Sequence, residues 1–337
     1  MKKYDFEETE KFRLKNETNL EIPPEQLKSW QSVVDLIATI GGARAGLIMR
    51  LQQNEIAPIA VSQTAGNPYR VGTREVLFNS GLYCERVIGE NQMLFVPDAR
   101  KTETWKNNPD IANNMICYLG FPIHLPNGGI FGTICILDDK MNQFSPAVFS
   151  LVEKMRDLLD AQLRLIYLNT YDQLTNLYNF ETFYQKTKAK IKTNAIHNQQ
   201  LFLLMIDIDN LKRINDQYGH LVGDQILRST AAIIAEQLNG DIILAHYARD
   251  EFILLIAGQS IISVLQLTDD IRSAVDGDYW LKKHDVTYCY GIAEYTANEC
   301  FEHWFNKVDS TLLKAKKSGL GQVGLFFDEN LNELTMC

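Results

Sequence analysis

Apolar residues in the first part of the chain recur first at helical and then at extended spacing. After the proline pair at 23–24 they lie three and four residues apart, which predicts an amphipathic helix ended by the glycine pair at 41–42. The apolar runs at 45–51 and 56–61 predict strands. The further elements predicted before residue 140 are a helix at 76–88, a short strand at 93–96, a polar loop with a little helix at 100–114, and strands at 115–124 and 130–138. The Pro-Asn-Gly-Gly turn at 126–129 predicts that the last two strands form a hairpin.

A stripe of apolar residues at 145–169 predicts one long amphipathic helix, which we take as the boundary between two domains. The stripe suits either a short coiled coil or a plain linker packed on the first domain. The elements predicted after it are a strand at 201–208, a polar helical segment to about 238, strands at 242–247 and 252–257, a helix at 261–275, a strand at 286–294, a helix at 301–317 and a strand at 323–327. This order predicts a sheet with helices on one face.

Composition narrows the class of protein. A chain of 337 residues suits two domains, and its net charge of −9 argues against a broad nucleic-acid or membrane-surface patch. We find no signal peptide and no apolar run long enough to span a bilayer, so we expect a cytoplasmic protein. The six cysteines form no CxxC pair, which favours reduced thiols.

Four carboxylates lie where predicted strands end: Asp207, Asp209, Asp250 and Glu251. If those strands are neighbours, the carboxylates converge, and oxygen ligands of this kind suit Mg²⁺ together with phosphate groups. Acidic residues at strand ends are, however, more often solvated or helix caps. Spacing alone leaves both interpretations open.

The second half of the chain resembles GGDEF domains of the diguanylate cyclase family over about 172–328. The segments that carry the resemblance are 172–179 (DQLTNLYN), 207–220 (DIDNLKRINDQYGH) with Gly223, Asp224 and Leu227, the hairpin 246–252 (HYARDEF), and 314–319 (KAKKSG). Their number and order make the resemblance specific.

The resemblance implies the following chemistry. Two GTP molecules would be condensed into cyclic di-GMP, each held by one domain, so that two domains must face each other. Asp207, Asp250 and the carbonyl of Ile208 would bind Mg²⁺ or Mn²⁺, and Glu251 would support the turn and proton transfer. The residues implied in substrate binding are Asn215 and Asp224 for the guanine edge, the backbone N–H groups of Asn210 and Leu211 for phosphates, and the side chains of Lys212 and Lys316 for positive charge.

The sequence departs from the family pattern at three places, and each bears on the implied chemistry or its regulation. Ala248 and Arg249 replace the two glycines before Asp250, and we expect Arg249 to strain the turn by about 1 kcal/mol or more. Leu320 stands where the closing motif usually has a phosphate-binding arginine; Arg249 could supply that guanidinium, or the turn could simply be degenerate. The segment 239–242 lacks the Arg-x-x-Asp pair of members with product inhibition, so we expect no feedback there.

The first half resembles a bacterial subclass of GAF domains over about 27–163. The segments that carry this resemblance are 83–85 (YCE), 95–99 (FVPDA), 107–109 (NNP), 118–123 (YLGFPI) and 132–138 (GTICILD). It leaves the ligand unknown. We interpret Cys84, Cys117 and Cys135 as core residues rather than ligands, and His124 as a surface residue. Asp98 is expected to cap backbone, and Trp105 is a weak candidate for a lid over a pocket.

The two resemblances together imply an α+β protein: a GAF sandwich, with an antiparallel sheet flanked by helices, and a GGDEF domain with a ferredoxin-like, cyclase-type sheet and surrounding helices. The predicted divisions are a polar segment 1–22, a GAF sensor 23–144, a signalling helix 145–170, a GGDEF domain 171–328 and a tail 329–337. We expect a homodimer through the 145–170 helix and the GAF domain, rearranged by a sensor ligand. The function is either a GAF-regulated diguanylate cyclase or an inactive GGDEF domain that binds GTP or docks onto a downstream protein; in a third alternative only the GAF domain binds a ligand.

Overall fold

The computed structural model describes residues 20–197 and 199–326. The predicted tail 329–337, residues 327–328 of the predicted second domain and 1–19 of the polar segment lie outside these ranges. The chain divides after Tyr167 into two compact units, here called unit 1 and unit 2. Within the described ranges, no helix combines the length and apolar character needed to cross a membrane.

Unit 1 is an antiparallel six-stranded sheet with helices on its faces, as predicted. Its strand order is β3-β2-β1-β6-β5-β4. The elements are α1 (Pro24–Gly41), β1 (Ala45–Gln52), β2 (Glu55–Val61), β3 (Glu75–Val76), α2 (Tyr83–Glu90), β4 (Leu94–Val96), β5 (Cys117–His124), β6 (Ile130–Asp138) and the long α3 (Pro146–Thr170), with 3₁₀ turns at Ala99–Lys101 and Pro109–Asn113.

Alternation along the strands of unit 1 separates two buried layers. Alternate residues of β1, from Ala45 to Leu51, pack with the buried face of α2. The opposite face receives α1, whose approach is close at Gly46: a Cβ there would lie 2.5 Å from the carbonyl oxygen of Val34. This contact explains a glycine inside an otherwise apolar strand.

The predicted helix at 76–88 is wrong in its first half. Residues 75–76 form the short strand β3, and α2 begins only at Tyr83. Asn79 and Gly81 adopt positive φ angles of 62° and 78°, which are incompatible with a continuous right-handed helix.

Most of the long helix α3 belongs to unit 1, where it is bonded to β5 and α1. His124, at the end of β5, donates its backbone N–H to Asp160 Oδ1 at 2.8 Å, and Trp30 Nε1 donates to Gln162 Oε1 at 2.8 Å. The buried side chains of α3 are Val148, Val152, Leu159, Leu163 and Tyr167. Two leucines of α3 instead face solvent: Leu158 is 43% exposed and Leu165 is 62% exposed.

Unit 2 contains a six-stranded sheet in the order β12-β11-β8-β10-β9-β7. Its elements are β7 (Tyr178–Asn179), α4 (Phe180–His197), β8 (Leu201–Ile208), α5 (Leu211–Tyr218), α6 (His220–Gln237), β9 (Asp241–Ala248), β10 (Glu251–Ala257), α7 (Ile261–Gly277), α8 (Tyr279–Lys283), β11 (Tyr288–Glu294), α9 (Phe301–Ser318) and β12 (Val323–Leu325). The central four strands are antiparallel and follow the predicted ferredoxin-like order β11-β8-β10-β9.

The prediction of helices on one face only is wrong for unit 2. Every residue of β8 is buried, so both faces of the sheet need cover. Residues Phe202, Leu204 and Ile206 pack in the layer of α5, α6 and α7, whereas Leu203 and Met205 pack in the layer of α4 and α9.

Two helices of unit 2 were not predicted from the sequence, and one helix that was predicted is divided into two. The missed helices are α4 and the short α8. The helical segment predicted to about 238 breaks at Gly219, whose φ of 90° separates α5 from α6. This break turns α6 back against α5 and creates the corner described below.

Candidate functional site

The predicted carboxylates meet at the end of the central strands of unit 2. Asp207, the penultimate residue of β8, pairs in register with Glu251, the first residue of β10. Arg249 and Asp250 form the two-residue turn between β9 and β10. The Asp250 carbonyl accepts the Ile208 N–H at 2.9 Å, which holds this turn against the end of β8.

Negative charge is concentrated in this cluster. Asp207 is 1% exposed, and burial together with Asp250 and Glu251 raises its pKa to about 7, although Lys316 Nζ donates to Asp207 Oδ2 at 2.5 Å. Burial also raises the pKa of Glu251, with a contribution from Asp250. For Lys316, burial alone would lower the pKa, but the Asp207 partner raises it, so the amine stays charged. One lysine therefore does not neutralise the cluster, which favours a further cation.

The donor set fits a hard divalent cation that also binds phosphate. Among the described residues, no group of three or more His, Cys, Asp or Glu side chains is arranged to hold a metal by itself. Asp207 and Asp250 supply two carboxylates, and Mg²⁺ with so few protein ligands usually completes its shell with phosphate oxygens and water. The backbone carbonyl of Ile208, the residue after Asp207, is the predicted third ligand.

Asp209 does not belong to this cluster. Its Oδ2 accepts hydrogen bonds from Thr287 Oγ1 at 2.7 Å and from the Gly321 backbone N–H at 3.0 Å. The carboxylate thus ties the end of β8 to the loops before β11 and after α9. Of the four carboxylates selected by position, three converge and one is structural.

The predicted guanine-binding residues lie at the corner between α5 and α6. Asn215 on α5 packs against Gly223 on α6 so closely that a Cβ at Gly223 would fall 1.9 Å from Asn215 Oδ1. That Oδ1 atom is buried and has no hydrogen-bond partner among the described residues. Asp224, the next residue of α6, is half-buried. The buried Asn215 amide thus has hydrogen-bonding capacity that no other described residue uses, and it lies beside the part-exposed Asp224.

The predicted phosphate-binding residues lie where β8 passes into α5. Asn210 has a left-handed φ of 57° and precedes the first turn of the helix. Leu211 is buried and Lys212 is exposed. The first backbone N–H groups of a helix have no intrahelical acceptor, so this turn can bind an anion.

The altered turn is not strained in the way that we expected. Neither Ala248 nor Arg249 has a positive φ, so the prediction of strain at Arg249 is wrong. Arg249 is exposed and makes no hydrogen bond or ion pair with another described residue. Leu320, at the position of the missing arginine, is 58% exposed.

A histidine that was not predicted anchors the strand leading into the turn. His246 Nδ1 lies 3.0 Å from Asp172 Oδ1, and Thr175 donates its backbone N–H to the same oxygen at 2.9 Å. Despite burial, these hydrogen bonds lower the pKa of Asp172 to about 2. Asp172 is the first residue of the motif at 172–179. The motif suggests that this carboxylate has a hydrogen-bonding partner, but the sequence does not show that His246 is that partner.

The candidate residues of unit 1 lie in its core, at a 3₁₀ turn or at its surface. Cys84, Cys117 and Cys135 are buried and free, as predicted. Asp98 caps the 3₁₀ turn by accepting the Arg100 N–H, also as predicted. His124 pairs with Asp160 and is partly exposed. The weak lid candidate, Trp105, packs against the core beside Tyr83, and the described cavity of this unit is lined by other residues.

Comparisons with known proteins match a different family to each half of the chain. Residues 169–322 match the family described as diguanylate cyclase, GGDEF domain, and residues 28–163 match the GAF domain. The chain is similar to Diguanylate cyclase DgcP of Pseudomonas aeruginosa, with 30% identity over 151 residues that cover 44% of this chain and 22% of that protein. Diguanylate cyclase DgcP of Escherichia coli is 26% identical over 223 residues, covering 61% of this chain and 64% of that protein. The chain thus spans less than two thirds of the length of either relative.

A solved structure is also similar. The coiled coil and GGDEF domain of DgcB from Caulobacter crescentus, in complex with c-di-GMP, is 25% identical with a TM-score of 0.47. The match covers 52% of this chain and 94% of that chain.

Proposed function

Because this chain contains a GAF domain followed by a GGDEF domain, we propose that it is a signalling protein that condenses two GTP molecules into cyclic di-GMP with Mg²⁺ or Mn²⁺. The observation that carries the proposal is the carboxylate cluster of Asp207, Asp250 and Glu251, in which burial, and to a smaller extent the two neighbouring carboxylates, raise the pKa of Asp207 to about 7. A bound cation would balance the charge of these carboxylates, and Mg²⁺ at such a site is usually completed by phosphate oxygens and water.

We assign metal binding to Asp207, Asp250 and the Ile208 carbonyl. The divalent ion, when bound, supplies charge neutralisation at the α-phosphate and acidifies the attacking 3′-hydroxyl. Lys316, paired with Asp207, adds a positive charge at the same point. Glu251 is half-buried with a raised pKa, so it is suited to accept a proton during the attack.

We assign substrate orientation to the corner and the turn around α5. Asn215 and Asp224 offer an amide and a carboxylate to the guanine edge. The N–H groups of Asn210 and Leu211 would bind phosphate oxygens at the start of α5, and the exposed Lys212 would add positive charge there. The phosphates of one GTP would thus be held at the start of α5, and the base at the corner between α5 and α6.

The reaction needs two domains, and we propose a homodimer through 145–170 and the GAF domain. The exposed leucines Leu158 and Leu165 lie seven residues apart on α3, which is the spacing of a coiled-coil seam. A ligand in the GAF domain that shifts this seam would change how often two GTP sites meet.

The first experiment is an assay of the full chain with GTP and Mg²⁺, then Mn²⁺, followed by chromatography for cyclic di-GMP. We expect product from the unaltered protein and none from Asp250→Ala, because that substitution removes a metal ligand. We also expect the rate per molecule to rise with protein concentration, since the two substrates lie on two chains. Product that persists in Asp250→Ala would refute the assignment.

Ala248 and Arg249 favour a second candidate function, a receptor that binds GTP without turnover. In that case the assay gives no product at high protein concentration, while a parallel calorimetric titration still shows GTP binding. Absence of both product and binding would leave a module that docks onto a downstream protein and takes its signal from the GAF domain.

We expect Gly223→Ala to weaken GTP binding by about tenfold to a hundredfold, because the new methyl group displaces the Asn215 amide. The matched control is Gly277→Ala on α7, where a Cβ meets nothing within 4 Å. This control should keep the GTP affinity of the unaltered chain. Equal affinities of both variants, measured by calorimetry with a non-hydrolysable GTP analogue, would remove Asn215 from the binding site.

A further inference from the structure

Unit 1 contains a small cavity beside the sheet. Its volume is about 150 Å³, close to that of an engineered cavity that admits benzene. Strand residues such as Leu47, Ile56 and Leu137 form an apolar wall, and the exposed Arg70 and Glu75 lie at the rim. The space therefore suits a compact molecule with an apolar body.

One buried charge faces this cavity. Asp110 is 9% exposed, and its Oδ1 accepts a hydrogen bond from the Tyr69 hydroxyl at 2.6 Å. Its Oδ2 has no hydrogen-bond partner among residues 20–197 and 199–326, and no Lys, Arg or His in those ranges forms a salt bridge with it. Burial raises the pKa of Asp110 to about 6, opposed by the Tyr69 hydrogen bond and reinforced by Glu75. At neutral pH the carboxylate is thus ionised but lacks a counter-ion.

The other titratable groups around Asp110 do not supply positive charge. Burial raises the pKa values of Tyr69, Tyr83 and Tyr118, so these hydroxyls remain neutral. Burial likewise raises the pKa of Cys135, whereas hydrogen bonds from Cys135, Thr133 and Tyr118 lower that of Cys84. Any charge on the thiol pair is therefore negative. At the rim, the exposed Arg70 and Glu75 have opposite charges and are screened by water.

We propose that this cavity binds a small organic monocation, such as a primary ammonium with an apolar group of about six atoms, through Asp110. The carboxylate accepts a charge-assisted hydrogen bond from the ligand while Tyr69 keeps it oriented. An anionic ligand such as a nucleotide is disfavoured, because its negative charge would be repelled by Asp110. This inference concerns unit 1 and does not depend on turnover in unit 2.

Benzylamine and benzyl alcohol test the proposal, because they share shape and differ in charge. In calorimetric titrations of the full chain at pH 8, we expect benzylamine to bind about tenfold or more tightly than benzyl alcohol. The preference should disappear in Asp110→Asn, which keeps the acceptor for Tyr69, and should persist in Glu75→Gln at the rim. It should also fall below about pH 6, as Asp110 takes up a proton.

Three outcomes would overturn the proposal. The first is equal affinity for the two probes at pH 8, and the second is an unchanged preference in Asp110→Asn. The third is no binding of benzylamine at about 10 mM, a concentration at which weak binding of so small a ligand is still detected. Near-ultraviolet circular dichroism of each variant confirms an intact core. If Asp110→Asn fails to fold, Tyr69→Phe serves as the second variant, and we expect it to reduce the preference for benzylamine because Asp110 loses the donor that orients it.

Discussion

Asp207→Asn is expected to abolish cyclic di-GMP formation and to stabilise the metal-free protein at pH 8. The catalytic effect follows from the loss of a charged metal ligand. The stabilising effect follows from the environment of the carboxylate, which is 1% exposed and lies beside Asp250 and Glu251. Opposite effects on activity and stability are characteristic of a site whose charges are arranged for a ligand rather than for folding.

The sign of the pH dependence follows from the raised pKa of Asp207. The folded protein holds this proton up to about pH 7, whereas the unfolded chain releases it near the ordinary aspartate pKa of 3.8. The stabilisation associated with the proton is complete below the unfolded pKa and is lost as the pH rises through the folded one. A shift of this size corresponds to about 4 kcal/mol as an upper bound, so the variant should gain up to a few kcal/mol over the unaltered protein at pH 8.

Thermal unfolding at pH 4 and pH 8, without metal, checks this expectation. The gain should appear at pH 8 and be small at pH 4. Asp209→Asn is the matched control at the same strand end: it weakens the bonds from Thr287 and Gly321 and should destabilise the protein at both pH values. A lower melting temperature of Asp207→Asn than of the unaltered protein at pH 8 would contradict the electrostatic argument.

Much of the sheet in unit 2 can be predicted from local sequence, because β8 and β10 are apolar runs bounded by polar turns. The same apolar runs also show why the prediction of helices on only one face of the sheet is wrong. A strand that is apolar at consecutive positions buries both of its faces, so helices on both sides were to be expected. The missed α4 has polar residues at many positions and buries Phe183, which leaves a weak periodic signal.

The candidate site divides in a similar way. Motifs along the chain identify Asp207, Asp250 and Glu251, but their convergence depends on the register between β8 and β10. Lys316 contacts Asp207 across 109 residues of sequence. The cavity of unit 1 had no comparable signal, because Asp110 lies in a polar loop and looks like a solvated acid until Tyr69 and the sheet enclose it.

Arg249→Gly is expected to weaken GTP binding by about tenfold to a hundredfold, although it restores a glycine of the usual motif. The reason is the hypothesis that Arg249 supplies the phosphate-binding guanidinium that is absent at Leu320. The structure makes this feasible because Arg249 is exposed in the turn beside Asp250 and is held by no other described side chain. Since the turn has no positive φ at this position, glycine offers no relief of strain in return.

A second substitution separates compensation from a merely degenerate turn. Adding Leu320→Arg to the Arg249→Gly variant should recover most of the lost affinity, because Leu320 is 58% exposed and a longer side chain can be accommodated there. Lys192→Gln, an exposed position on α4, controls for the loss of one positive charge and should leave the dissociation constant for GTP unchanged. If Arg249→Gly instead binds GTP more tightly or turns over faster, Arg249 obstructs the triphosphate, and the carboxylate cluster then works in spite of this residue rather than with it.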